Sequence, residues 1–353
     1  MDVYWVWLSR LKYVGPVLQK QLIAHFHCPK LIYEAGEESL SGVPKMTRNA
    51  LESIGLNRSL KETEMILMAA EKSGVRLLLY NDVNYPDFAK ECKESPVVLY
   101  YRGQLKPIKN AVGVVGARWC TSYGKKIAKQ IGEELARLNI PVNSGFAKGI
   151  DSYAQAACAR HGGYTISFLG CGPDICYPTE QRQLYHEFLE KGNVFISQFP
   201  PGTAPNPKFF LSRNALISAW STELVIVEAG EQSGALTTVD FAIKNNKRVY
   251  AVPNHIGVQE GVGTNRLLSE GISPYLGIQS LQCVKDKRPL DVELIEKVKR
   301  EHPILKFLSE SPITIQQLSH LAKLSEDQLM DQLLDLELTK EIIMRGNLVY
   351  GLH

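Results

Sequence analysis

No CxxC pair occurs among the seven cysteines, and the two nearest, Cys171 and Cys176, have no histidine cluster beside them. A structural zinc site needs that spacing, so no metal is expected. The odd, scattered thiols read as reduced, mostly buried side chains of a cytoplasmic protein rather than as a disulfide framework. Long apolar runs are missing too: the longest, such as "LVIVEA", are strand-sized. Crossing a bilayer takes roughly 20 apolar residues, so no membrane partner is expected. The start, "MDVYWVWLSRLKY", has neither a basic leading segment nor a small-residue cleavage site, which predicts no secretory signal. Charge of one sign is also scarce. A net charge of +3 over 353 residues does not by itself announce a nucleic-acid binder.

The distribution of charge says more than its sum. From Lys106 to Lys148 there are eight basic residues against two acidic ones, a local +6, and from Glu301 to the end four basic against eight acidic, a local −4. The two ends of the chain should therefore meet different partners.

Periodicity divides the chain into residues 1–75, 76–285, a charged linker at 286–300, and 301–353. The first part reads as short helices. "VGPVLQKQLIAHF" and "LSGVPKMTRNALESI" both run from a Gly-containing turn through Pro into apolar residues at helical spacing. Such paired turns are helix-hairpin-helix elements that aim backbone N–H groups at a phosphate, or a plain helical packing unit. The second part alternates apolar, strand-sized runs ("VVLYYRG", "AVGVVGA", "PVNSG", "YTISFLG", "VFISQF", "ELVIVEA", "RVYAVP") with helical stretches. That alternation predicts an α/β fold with a parallel sheet covered on both faces. From His302 the pattern gives three short helices and a final hairpin, the layout of a winged helix.

In an open parallel sheet, ligands bind beyond the carboxyl ends of the strands, so the residues that follow each strand are the candidates. After "AVGVVG", Gly116 allows a tight turn and Arg118 can grip an anion. Gly113 and Gly116 make no GxGxxG fingerprint, and no nucleotide cofactor is expected. After "PVNSG", the residues Ser144, Gly145, Lys148 and Gly149 lead into a helix start that suits a phosphate. Asp151 reads as a first-turn acid or a ligand for Arg118. Tyr177 is read as a packing residue. Gly116, Ser233 and Gly234 form a possible anion loop, and Glu228 reads as the holder of a basic side chain or a backbone group rather than a catalyst.

The segment "PNPKFFLSRNALIS" interleaves Lys208, Phe209, Phe210, Arg213 and Asn214 after a proline-stiffened loop. On extended chain, adjacent side chains point opposite ways, so one ring should plug the core and Phe210 should face out. A ring flanked by cations stacks bases while the cations neutralise phosphates, at about 1–3 kcal/mol per base.

Together, "VGVVGAR…YG", "SGFAKGID", "FLGCGPDICYP", "FPPG…PNPKFFLSRNALIS", "VIVEAGEQSGALTT", "VYAVPN" and "GTNRLLSEG" stand in the order of the DNA-processing protein A family (DprA, also called Smf), which the chain resembles over roughly residues 97–275. The resemblance implies an extended Rossmann-like sheet between a sterile-alpha-motif-like helical domain and a C-terminal winged helix. It also implies a cytoplasmic, homodimeric binding protein without catalytic residues, which protects single-stranded DNA and loads the RecA recombinase onto it in natural transformation. Its DNA contacts would fall on Arg118, Ser144, Gly145, Lys148, Gly149, Lys208, Phe210, Arg213 and Asn214. Two positions depart from the family pattern: Ala117 stands where Ser is more frequent, and Trp119 where a polar or basic residue is more usual. Trp119 either adds a stacking surface or fills a core gap. In the expected third helix of the winged domain, "SEDQLMDQLLDLEL", Glu326, Asp327, Asp331, Asp335 and Glu337 occur without a Lys or Arg. It would repel phosphates, so this domain is expected to meet protein rather than DNA. Two rival readings remain: a pure adaptor, and a nucleotide phosphoribohydrolase on the same sheet. The second lacks its PGGxGTxxE segment, because the equivalent place reads "EAGEQSGALTTVD".

Overall fold

The computed structural model describes residues 2–286, 304–308, 312–338 and 342–351. They divide into two units, residues 1–283 and 284–353. The linker expected at 286–300 lies, apart from Asp286, outside the described residues.

The first unit opens with α1 (Asp2–Arg10), α2 (Pro16–Phe26), α3 (Pro29–Glu34), α4 (Glu37–Ser41), α5 (Arg48–Leu56) and α6 (Lys61–Ser73). Pro16 and Pro29 sit in first turns, where a missing N–H leaves no bond unmade. The Thr47 hydroxyl caps α5 by accepting from the Ala50 N–H. A nine-stranded sheet and its helices follow, in the order β1 (Arg76–Leu79), α7 (Asp87–Lys90), β2 (Val98–Gly103), β3 (Val112–Val115), α8 (Ser122–Arg137), β4 (Val142–Ser144), α9 (Ile150–Arg160), β5 (Thr165–Phe168), α10 (Arg182–Glu190), β6 (Val194–Ser197), α11 (Phe209–Ala219), β7 (Glu223–Ile226), α12 (Ala235–Lys244), β8 (Arg248–Ala251), α13 (Val262–Ser269) and β9 (Ser273–Pro274), and α14 (Gln282–Lys285) spans the division between the units.

The strand order is β1-β2-β6-β5-β4-β3-β7-β8-β9. The seven strands from β6 to β9 are parallel, whereas β2 runs antiparallel to both β1 and β6. The fold is thus mixed α/β with a parallel-dominated sheet, and β2 departs from the all-parallel expectation. Strands β3 to β7 are buried along their whole length, as a sheet covered on both faces requires. Alternation shows the two coverings. Val194 and Ile196 join the core that holds Leu216, Ile217 and Trp220, while Phe195 between them packs with Phe146, Tyr185 and Phe188.

The second unit contains a 3₁₀ turn (Leu305–Phe307), β10 (Ile313–Thr314), α15 (Ile315–Ala322), α16 (Glu326–Leu338), β11 (Ile342–Arg345) and β12 (Leu348–Gly351). Its antiparallel strands lie in the order β10-β12-β11. Thr314 and Gln317 form a capping box on α15. Leu318, Leu329, Leu333, Ile342 and Val349 make its core. The expected final hairpin is present. Of the three expected helices, two α-helices and the short 3₁₀ turn fall among the described residues.

Candidate functional site

The strand order reverses at β3, which lies between β4 and β7. Chain segments leaving such neighbouring strands in opposite directions open a crevice beyond their carboxyl ends. Three depressions lie there, with volumes of about 690, 420 and 300 Å³, and all three are lined by Arg118 and Trp119.

Gly116 makes the crevice possible. A Cβ at this position would stand 2.7 Å from Ile150 Cγ1 and 2.9 Å from the Glu228 carbonyl. The Ala117 N–H donates to that carbonyl at 2.7 Å, which ties the end of β3 to the end of β7. The chain then delivers Arg118 and Trp119 to the surface. Across the crevice, the prolines stop at Pro207 and α11 begins at Phe209, with Lys208 as N-cap. The two phenylalanines therefore start a helix rather than sit on extended chain, and both are half-buried. Phe209 stacks on Phe199 at 4.0 Å. Phe210 lies 5.8 Å from the Arg118 guanidinium and 5.4 Å from that of Arg213. Tyr177 packs against Phe210 at 5.8 Å and is 39% exposed.

Several expected rim residues lie inside. Ser144 is fully buried, and its hydroxyl donates to the Val114 carbonyl at 2.6 Å. Gly145 donates its N–H to Asp151 Oδ2 at 3.1 Å. Arg213 is only 5% exposed. Its guanidinium donates to the Gly145 carbonyl, and to the Phe168 carbonyl at 3.1 Å. Asp151 is the first-turn acid of α9, as expected, but the arginine it faces is Arg213 rather than Arg118. Burial pushes the Asp151 carboxyl up, and the Arg213 charge and the Gly145 N–H oppose that shift. Burial likewise pulls Arg213 down, against the attraction of Asp151. Both line the floor of the crevice, and Arg213 clips the ends of β4 and β5 together through the Gly145 and Phe168 carbonyls. A side chain on Gly145 would collide with Arg213 at 2.1 Å.

Asn214 is also engaged. Its amide donates to Thr237 Oγ1 at 2.8 Å and to the Gly234 carbonyl at 3.2 Å, and its Oδ1 accepts from Arg213 Nε at 3.0 Å. It thus ties α11 to the start of α12. Gly234 is the N-cap of α12, and Ser233 and Gly234 line the largest depression together with Gly116. Gly149 has φ +86, and a Cβ there would meet the Ala117 and Arg118 carbonyls. The first N–H of α9, on Ile150, is already bonded to the Ala117 carbonyl at 3.2 Å, so this helix start is less open to an anion than expected. Lys148 is exposed but paired with Glu180 at 2.7 Å, and that pairing holds the Glu180 carboxyl below its ordinary range. Lys208 is exposed and lines none of the three depressions. Glu228 is buried and accepts from the Thr121 N–H at 2.9 Å and the Thr121 hydroxyl at 2.5 Å. It holds the start of α8, as a backbone-binding acid should.

One feature lies beyond what the sequence signals, and one open alternative is resolved. Lys125 Nζ lies 4.9 Å from the Tyr153 ring, beside the smallest depression, and helical spacing on separate elements gives no hint of that pairing. Trp119 is 84% exposed, so it fills no core gap. All seven cysteines are free thiols, and no metal-holding cluster occurs among the described residues. No described helix is long and apolar enough to cross a membrane.

Comparison with known proteins matches residues 76–283 to the family model for DNA recombination-mediator protein A. A Synechocystis protein named Smf is 32% identical over 294 residues, which are 82% of this chain and 74% of that one. The X-ray structure of DNA processing protein A (DprA) from Streptococcus pneumoniae aligns with a TM-score of 0.65 and 26% identity, covering 79% of this chain and 95% of that one. A Helicobacter pylori DNA processing protein A, whose structure concerns its single-stranded DNA binding mode, aligns with a TM-score of 0.54 and 28% identity over 60% of this chain and 96% of that one.

Proposed function

This chain belongs to the DNA recombination-mediator protein A family, and we propose that it binds single-stranded DNA across the mouth of the crevice, as a binding protein rather than an enzyme. The observation that carries the reading is the half-buried ring of Phe210 beside the exposed cation Arg118 at the sheet's switch point. A base can stack on such a ring while the guanidinium meets a phosphate. The binding mode described for the Helicobacter pylori relative supports the same ligand. Lys148 and Lys208 add exposed positive charge. Stacking uses a flat face that every base has, so binding is independent of sequence and favours single strands over duplex.

On this reading the protein works in the cytoplasm as a homodimer, shelters incoming strands during transformation and passes them to the RecA recombinase. The helical start of the chain is the sterile-alpha-motif-like domain. The second unit is the winged helix: its order β10-α15-α16-β11-β12 supports that assignment. The sequence of α16, without Lys or Arg, supports a protein partner for it. Deleting residues 300–353 then leaves single-strand affinity within about tenfold of the parent.

The test is fluorescence anisotropy with labelled oligo-dT and duplex at several salt concentrations. Single strands should bind more tightly, and log K should fall against log salt by about 0.7 for each phosphate neutralised. Absence of binding, or binding indifferent to salt, would leave the crevice a protein-contact surface.

A further inference from the structure

We propose that Trp119 is a second base-stacking platform, which extends the single-strand track past Arg118 into the smallest depression. The inference rests on the single-strand reading above and adds a subsite to it.

The chain has four tryptophans, and three are core residues: Trp5 is 6% exposed, Trp7 3% and Trp220 0%. Trp119 is 84% exposed, and no aromatic ring stacks on it among the described residues. An indole carries a large apolar face that stabilises a fold only when covered, so folding does not explain this one. Its surroundings do. Trp119 and Arg118 line all three depressions. Two of the three also hold Phe210, beside Arg118. The third holds Tyr153, with Lys125 Nζ 4.9 Å from its ring, and Lys148 lines it too. Ring and cation thus recur in each depression that the indole lines. A protein partner seated on an exposed tryptophan would want an apolar surround, whereas a polyanion with flat bases suits this alternation.

The same tryptophan supplies the measurement. With the other three buried, the emission accessible to the neutral quencher acrylamide comes from Trp119. Binding of oligo-dT to the full chain should quench that emission and shield it from acrylamide, in step with anisotropy of the labelled strand. Trp119→Ala should weaken binding by about 5- to 100-fold with an unchanged salt slope, and Trp119→Phe should recover most of the loss. An oligomer of abasic sites keeps its phosphates and loses its stacking faces, so parent and Trp119→Ala should bind it alike. If oligo-dT binds while the emission and its acrylamide access stay put, and Trp119→Ala binds as the parent does, the platform is overturned and the single-strand reading stands. If oligo-dT does not bind the parent at all, that broader reading falls first.

Discussion

The rim and the floor of the crevice are built from the same short segments, yet they handle charge in opposite ways. On the rim, Arg118 and Lys148 stand in solvent. On the floor, Arg213 has surrendered water for two carbonyls and the Asp151 charge. Two arginines therefore reach the same phenylalanine from different dielectric surroundings. The exposed one is free to exchange a counterion for a phosphate. The buried one cannot do so without abandoning its hydrogen bonds. Residues of one motif thus divide the work, some presenting the surface and others holding it in shape.

Breaking the floor should have the largest effect. Arg213→Ala strips the buried Gly145 and Phe168 carbonyls of their donor, and should lower the unfolding free energy in urea by about 2–5 kcal/mol. If the variant were as stable as the parent and instead showed a shallower salt slope with oligo-dT, Arg213 would belong to the rim. Phe210→Ala comes next. It should reduce oligo-dT affinity by about 1–3 kcal/mol with the salt slope unchanged, because stacking releases no counterion. Arg118→Ala should weaken binding to every base sequence and flatten the slope by about 0.7, without a shift in the urea midpoint. The smallest change is on the rim's own ion pair. Glu180→Gln frees Lys148, and should tighten oligo-dT binding by about two- to fivefold. A loss of affinity in that variant would mean that Glu180 orients Lys148 rather than competing for it.

Much of this fold is legible because buried strands are continuously apolar. The seven runs from "VVLYYRG" to "RVYAVP" correspond to β2 through β8. The direction of β2 is not legible, since its neighbour β6 lies far from it in sequence and is chosen by packing. β9 has two residues and leaves no periodic trace. In the crevice, a strand end alone is enough to place Gly116 and Arg118. Phe210 lies in the expected neighbourhood for a different reason: its backbone is the first turn of α11, not extended chain. The charge of Arg213 suggests the surface, although its helix already locates it. Leu216 and Ile217 lie three and four residues on, the same face of α11, Trp220 caps its end seven residues on, and all are buried. What the sequence cannot show is the partner that makes such burial tolerable, because Asp151 belongs to another element.

The antiparallel β2 carries a consequence for how the chain could be divided. Leu99 points into the core beneath α11, while Val98 and Tyr100 point into the core of the opening helices, so one strand serves as a wall for two interiors. It also covers the hydrogen-bonding margin of β6. A fragment trimmed to the parallel strands would bare that margin along "VFIS" and invite copies of itself to zip on, so it should precipitate where the intact chain stays dispersed.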